Sequence, residues 1–151
     1  MRNCLKCIVF SPQSGKSEGF LQTPDRGNIP FAAAHIDHCG PLAVGTCAKK
    51  YLLVVVDAFT KFVKLFAVKS TTTAETVKCL EEYFANYSKP KAIISYRGTR
   101  FASKEFKDFV DEQQIRYVLI ATASRQANGQ VERVNSIVVP MIAMLAGQKK
   151  W

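Results

Sequence analysis

Two acidic residues stand where predicted elements of the chain should converge. Asp37 ends a predicted strand over residues 31–37, and Glu132 lies in the first turns of a predicted helix over residues 130–147. Carboxylates that meet at one edge of a sheet can hold Mg²⁺ ions, which activate a water or hydroxyl and stabilise the leaving oxygen of a phosphodiester. The pair therefore indicates metal-dependent chemistry on phosphodiesters, provided that a third acid completes the set.

The third position of such a set is occupied by a tyrosine. Tyr96 follows a short predicted strand over residues 91–95, and it should lie next to Asp37 if that strand is a neighbour of the first. A phenol is neutral near pH 7, with a reference pKa of about 10, and it is a poor ligand for a hard cation. Tyr96 therefore breaks the acidic set.

No other acid is expected to replace the missing one. Asp57 ends the second predicted strand, which runs antiparallel to the first, so about five residues at ~3.3 Å each, or roughly 16 Å, should separate it from Asp37. We interpret Asp57 as a structural turn residue, and Asp108 and Asp111 as solvated charges on a helix. His35 shares the strand face of Asp37 and is either a metal ligand or a structural histidine.

A mixed sheet is needed to position these residues. From residue 31 the apolar patterns follow the order β-β-β-α-β-α-β-α, in which three antiparallel strands form a meander and βα units follow. The strands are predicted over residues 31–37, 51–59, 62–68, 91–95 and 115–121, and the helices over residues 74–87, 104–114 and 130–147. The predicted fold class is α/β, with a five-stranded mixed sheet flanked by helices.

Local signals mark the helix ends. Thr72 with Glu75 resembles a capping box, and Ser103 is predicted to cap the second helix. Pro140 should kink or end the third helix because it lacks an N–H donor. The apolar stripe of this helix forms either core or a dimer surface, and it comprises Val131, Val134, Ile137, Val138, Met141 and Leu145.

Composition narrows the class of protein. The 151 residues are 48% hydrophobic and 22% charged, which excludes a disordered or collagen-like chain and fits one globular domain. The sequence has no apolar stretch long enough for a membrane span, so no membrane partner is expected. The net charge of +9 favours an anionic partner such as nucleic acid. A basic protein without such a role is the alternative.

The amino end contains a pair of cysteines that could belong to a metal site. Cys4 and Cys7 have the spacing of half a zinc site, and they are either two of four zinc ligands or two ordinary thiols. The five cysteines without a secretory signal favour a reducing compartment over a disulfide scaffold. We therefore divide the chain into an arm over residues 1–30, a core over residues 31–147 and a tail over residues 148–151.

Four ordered motifs resemble the integrase catalytic core of gypsy-type long-terminal-repeat retrotransposons and, more distantly, of retroviruses. The motifs are HIDHCGP, YLLVVVDAFTKFVKLFAVKS, IISYRGTRF and ANGQVERVN, and 35 residues lie between Tyr96 and Glu132, as between the family's second and third catalytic acids. The resemblance implies a ribonuclease H-like fold, Mg²⁺ or Mn²⁺ as cofactor, DNA as partner and a homodimer. It also implies that Cys4 and Cys7 are half of a zinc module whose histidines would precede residue 1.

The resemblance assigns further residues to DNA. Gln130 and Arg133 are contacts to phosphates or bases in such integrases, and the alternative is an ordinary helix start with a solvated arginine. Arg97, Arg100 and Lys104 follow Tyr96 and either neutralise phosphates or lie on a solvated face.

The departure from the family decides the expected function. The family has aspartate in IISDRGT where this chain has Tyr96, so Asp37 and Glu132 remain as remnants of a catalytic triad with weak or no metal binding. We expect a retrotransposon-derived nuclear domain, retained in a host protein or a decayed element. It should be catalytically inactive and act by binding protein or nucleic acid. The alternative is a working integrase core that tolerates the tyrosine.

Overall fold

The elements follow the predicted order. The computed structural model describes residues 29–42, 49–96, 101–120 and 129–147, of which residues 96, 129, 130 and 143–147 are described by their backbone alone. The strands are β1 (Ala33–Cys39), β2 (Tyr51–Asp57), β3 (Val63–Val68), β4 (Ala92–Tyr96) and β5 (Arg116–Ile120). The helices are α1 (Thr73–Asn86), α2 (Lys104–Glu112) and α3 (Gly129–Gly147).

The strands form one mixed sheet in the order β3-β2-β1-β4-β5. β1, β2 and β3 make the predicted antiparallel meander, and β4 lies parallel to both β1 and β5. The meander brings β1 to the centre, because β4 returns to its free edge after α1. The predicted α/β class and five-stranded mixed sheet are confirmed.

Helices cover both faces of the sheet. α1 and α2 pack on one face, where Leu80, Tyr83 and Phe106 meet Ile36 and Leu53 of the central strands. α3 packs on the other face, and its Val131 contacts the apolar side chains that β2 places there. Because β2 is buried on both faces, its side chains form a continuous apolar run rather than an alternating one.

The helix-capping predictions hold in large part. The Thr72 side chain accepts a hydrogen bond from the Glu75 amide at 3.5 Å, and the Ser103 hydroxyl accepts one from the Phe106 amide at 3.2 Å. The Glu75 carboxylate reaches two residues further back than a capping box requires, to Ser70 rather than to the Thr72 amide. It accepts from the Ser70 amide at 2.6 Å and from the Ser70 hydroxyl at 2.7 Å.

The last helix differs from its prediction in two respects. α3 continues through Pro140 to Gly147, so the proline does not end it. Ile137 and Met141 belong to the apolar stripe of the sequence, but they are 51% and 52% exposed, so the core alternative is wrong for these two residues. The Leu145 side chain lies outside the described residues. The side chains that pack on the sheet follow a spacing of three and four residues: Val131, Val134, Val138 and Ile142. No helix in the described ranges is both long and apolar enough to cross a membrane.

Candidate functional site

Asp37 lies on the central strand, beneath the first turns of α3. It pairs with Val54 of β2, and the preceding Ile36 pairs with Ser95 of β4. One carboxylate oxygen accepts the His38 amide at 2.8 Å, and the other accepts the side-chain amide of Asn135 at 3.1 Å. The carboxylate is therefore held between its own strand and α3.

Glu132 approaches Asp37 from the helix. The neighbouring Val131 is fully buried against the sheet and fixes the start of α3, while Glu132 itself is exposed. The charge of Glu132 acts on Asp37, so the structure brings these two acids within electrostatic range of one another. The third residue of the group is Asn135, one turn further along the same helix.

The environment of Asp37 disfavours its charged form. Burial raises the pKa of the Asp37 carboxyl above its ordinary value, and the negative charge of Glu132 adds to the rise. The hydrogen bonds from the His38 amide and from Asn135 act in the opposite direction and do not cancel it. Burial, and then the charge of Asp37, likewise raise the pKa of the Cys39 thiol, which disfavours a reactive thiolate there.

A pH dependence of stability follows from the raised pKa of Asp37. Because the folded state binds this proton more tightly than the unfolded state, stability should fall as pH rises from about 3.8 through the folded-state pKa. Asp37→Asn removes the charge, and its side-chain oxygen can still accept from the His38 amide. Its NH₂ group can donate to Asn135 Oδ1, a buried atom without a hydrogen-bond partner in the described residues, once the Asn135 amide turns over. We expect Asp37→Asn to be more stable than the wild type at pH 7 and to lose this part of the pH dependence. Urea unfolding between pH 3 and pH 8 measures both effects, and a variant less stable than the wild type at pH 7 would contradict the assignment.

Tyr96 stands beside Asp37 in the sheet. Ser95 pairs with Ile36, so the next residue of β4 comes level with Asp37 along the two strands. Tyr96 pairs on its other side with Ile120 of β5. The register therefore places a tyrosine at the position where a carboxylate would complete a set with Asp37 and Glu132.

The donor set does not fit a pair of hard divalent cations. Within the described ranges, no three His, Cys, Asp or Glu residues come together as a group that could hold a metal ion. The neighbouring segments 97–100 and 121–128 contain none of these residue types. Asp37 and Glu132 alone supply fewer carboxylate oxygens than two Mg²⁺ ions require, and both oxygens of Asp37 already accept hydrogen bonds.

Asp57 has the structural role predicted for it, although it lies nearer to Asp37 than expected. β1 extends past Asp37 to Cys39, so Asp57 pairs with Ala34, three residues or about 10 Å from Asp37 along the strand. The alternation of a strand then places the two aspartates on opposite faces. Asp57 is fully buried and accepts hydrogen bonds from the amides of Phe31 and Thr60 at 2.9 and 2.7 Å.

The remaining predicted site residues do not all fall in the described ranges. Cys4, Cys7, Arg97 and Arg100 lie outside them. Lys104 and Arg133 are exposed, at the starts of α2 and α3, and Gln130 lies in the first turn of α3 by its backbone. His35 is 3% exposed between Val56 and Ile94, and is enclosed in the sheet.

Asn135 is the site residue that sequence reasoning missed. It belongs to the ANGQVERVN motif, but no role was assigned to it. The available signal was its position three residues after Glu132, which places both side chains on one face of a helix. An amide among the valines of an apolar helix face needs a polar partner, and Asp37 is that partner.

Residues 27–125 match the integrase core domain. The chain belongs to this family. It is 33% identical over 153 aligned residues to the Pro-Pol polyprotein of simian foamy virus type 3 (strain LK3), and the alignment covers 100% of the chain and 13% of the polyprotein. The chain thus spans a small part of the length of this curated relative.

Solved structures agree with the integrase-core assignment. The HTLV-2 integrase catalytic core domain in complex with magnesium, in a trimeric form, superposes with a TM-score of 0.64 and 25% identity, over 82% of this chain and 76% of that one. The simian T-cell lymphotropic virus intasome in complex with the PP2A regulatory subunit B56 gamma gives a TM-score of 0.71 at 23% identity, over 97% of this chain and 51% of that one. These neighbours confirm the predicted ribonuclease H-like fold.

Proposed function

We propose that the chain is an integrase core from a gypsy-type retrotransposon that no longer performs strand transfer and acts by binding nucleic acid or protein. The observation that carries this proposal is the tyrosine at the end of β4, level with Asp37, where the family motif has aspartate. Asp37 and Glu132 then remain as an incomplete pair. Neither the described residues nor the sequence of the adjoining segments supplies a third acid.

Binding of DNA is supported by charge. Arg133 is exposed one residue after Glu132, and Lys104 is exposed at the start of α2. The net charge of +9 adds a sequence-independent attraction to phosphates, which depends strongly on salt. Gln130, Arg97 and Arg100 belong to the same proposed DNA surface by their place in the motifs.

The decisive experiment measures binding and joining on the same DNA. The protein is incubated with Mn²⁺ and a duplex that mimics an element end, and retardation and joined products are scored separately. We expect retardation that weakens with added salt, and no joined product above the level of Glu132→Gln, because a third metal-ligating acid is missing. Joined products that Glu132→Gln abolishes would show a working integrase and would contradict the proposal.

The other properties of the proposed domain remain predictions. By family resemblance we expect a homodimer in a nuclear setting, with Mg²⁺ or Mn²⁺ as cofactor only in an active form. The HTLV-2 core is a trimeric form in complex with magnesium, so neighbours of this fold can self-associate and hold the cation. The zinc proposal for Cys4 and Cys7 requires histidine ligands from outside residues 1–151.

A further inference from the structure

Exposed aromatic side chains cluster at the end of the sheet opposite to Asp37. Phe59 and Phe62 lie in the turn that joins β2 to β3, and they are 49% and 37% exposed. Tyr87 caps the carboxyl end of α1 and is 40% exposed. Its ring centre lies 5.0 Å from that of Phe62. We call these three side chains the aromatic patch.

Two further rings hold the aromatic patch in place. The Phe31 ring lies 5.8 Å from that of Phe62 and 5.9 Å from that of Tyr87, on which it is stacked. The buried Tyr83 ring lies 5.1 Å from that of Tyr87. Phe62 and Tyr87 are therefore fixed in orientation, so a flat ligand can stack on them with little further ordering of side chains.

The charges within the segments that form the patch are all positive. Lys61 lies in the turn of residues 58–62, and its ammonium donates a hydrogen bond to a backbone carbonyl of that turn. Lys89 and Lys91 follow the end of α1 and are exposed. Neither this turn nor the segment of residues 87–91 contains an acidic residue. Both segments therefore attract an anionic ligand.

The patch and its cations lie along one line across the strand ends. β3 begins next to Phe62 at one side of the sheet, and β5 begins at the exposed Arg116 at the other. Between them, the Lys91 amide donates to the Ala32 carbonyl at 2.8 Å, and the Arg116 amide donates to the Lys91 carbonyl at 2.9 Å. Neighbouring strands are ~4.8 Å apart, so about 19 Å separates Phe62 from Arg116. That length suits a short single strand, because such sites take about four nucleotides or more.

The area of the patch argues against a protein partner. At roughly 200 Å² for each aromatic side chain, the three rings expose about 250 Å² together. A stable interface with a second copy or another protein buries about 800 Å² on each side. Stacking of a base needs the face of one ring only.

We propose that this end of the sheet binds single-stranded nucleic acid. Bases stack on the aromatic patch, while Lys61, Lys89, Lys91 and Arg116 neutralise the phosphates between them. An unpaired strand fits better than a duplex, because the bases of a duplex already stack on one another and are not available to the rings.

This inference goes beyond the proposed function, and the two can fail separately. The aromatic patch lies at the ends of β2 and α1, whereas Lys104 and Arg133 lie at the starts of α2 and α3. Absence of duplex retardation would contradict the proposed DNA surface and leave the single-strand site in place. Retardation of duplex DNA without any binding of a single strand would contradict this inference alone.

The first experiment tests the stacking of bases. The probe is a fluorescein-labelled oligothymidylate of about ten nucleotides, and its binding to the full chain is followed by anisotropy. A strand with the same number of phosphates but abasic sugars should bind at least about fivefold more weakly, since it has no bases to stack. A duplex at equal phosphate concentration, and vesicles of phosphatidylserine, should not displace the probe. Equal binding of the abasic strand, displacement by the duplex or the vesicles, or no binding of the probe overturns the proposal.

The second experiment locates the site. Phe59→Ala should weaken binding of the probe by at least about fivefold, because it removes one stacking ring. Phe59 is the most exposed ring of the patch, so the variant should stay folded, which circular dichroism verifies. Lys89→Glu with Lys91→Glu should weaken binding by about tenfold or more and lower the salt slope by about two. An unchanged affinity in either variant contradicts the proposal.

Matched controls lie outside the patch. Met141→Ala removes an apolar side chain that is 52% exposed on α3. Lys49→Glu with Lys50→Glu makes the same change of net charge at two exposed lysines before β2. Both controls should leave the affinity for the probe nearly unchanged. If the Lys49 and Lys50 control lost as much affinity as the Lys89 and Lys91 variant, net charge alone would explain the binding and the proposed site would be wrong.

Discussion

Tyr96→Asp is expected to raise the affinity of the protein for Mn²⁺ by at least about 100-fold, since loss of an outer-shell partner alone costs 10–100-fold and this change adds a ligand. The new carboxylate would come level with Asp37 in the sheet, across from Glu132 on α3. A third acid adds two carboxylate oxygens and a negative charge to the ligand set, and hard divalent cations need several oxygen ligands each. Titration calorimetry with Mn²⁺ measures the change directly.

The control for this prediction is Tyr96→Phe. It removes the phenol without adding a charge, so its Mn²⁺ affinity should equal that of the wild type. Glu132→Gln in the Tyr96→Asp background should cancel the gain, because it withdraws a second acid from the same set. Tight two-site binding by the unaltered protein would show that the tyrosine is tolerated, and would refute the proposed loss of function.

The second large effect concerns folding. Asp57→Ala should lower the free energy of unfolding by about 3 kcal/mol, because it removes the acceptor of three hydrogen bonds at a partly buried turn and leaves their donors unpaired. The carboxyl group of Asp57 accepts from the Phe31 amide and from both the amide and the hydroxyl of Thr60. Phe31 has a φ of 60°, a left-handed conformation that costs energy for a side-chain residue and needs such support. Denaturant unfolding measures the loss.

Asp57→Asn is a control for which we expect a smaller loss of stability. Its one carbonyl oxygen can replace only one of the two carboxylate oxygens, so the loss should be roughly half that of Asp57→Ala. Asp37→Asn gives the opposite sign, as argued from its raised pKa. If Asp57→Ala proved no less stable than the wild type, the turn would not depend on this carboxyl and the structural role assigned to Asp57 would be wrong.

The fold was predictable because its signals are local. The apolar run of β2, the alternation of β3 and the caps Thr72 and Ser103 each depend on residues close in sequence. Helix and strand bounds shifted by one or two residues, as element ends do. The exception was α3, where Ile137 and Met141 fit an apolar stripe in sequence but face away from the sheet.

The site was less predictable because its contacts are not local. The Asn135 side chain donates a hydrogen bond to Asp37, which lies 98 positions earlier in the chain. No residue near Asp37 in the sequence predicts this contact. The predicted distance between Asp37 and Asp57 along the hairpin was too long. It assumed that β1 ends at Asp37, whereas β1 stays paired with β2 as far as Cys39. Which acids share a face follows from register, and register is set by the whole sheet.

The two aspartates of the central hairpin are separated by the sheet itself. Asp57 holds a turn on the α1 side, whereas Asp37 faces α3, at a cost to stability from its own burial. Chemistry and folding therefore make independent demands on the sequence. A lineage that lost the catalytic acid at the end of β4 would keep the hydrogen bonds that hold the Asp57 turn, because they lie on the opposite face of the sheet. Once selection for the reaction ceased, that side of the scaffold would persist and be available for other uses.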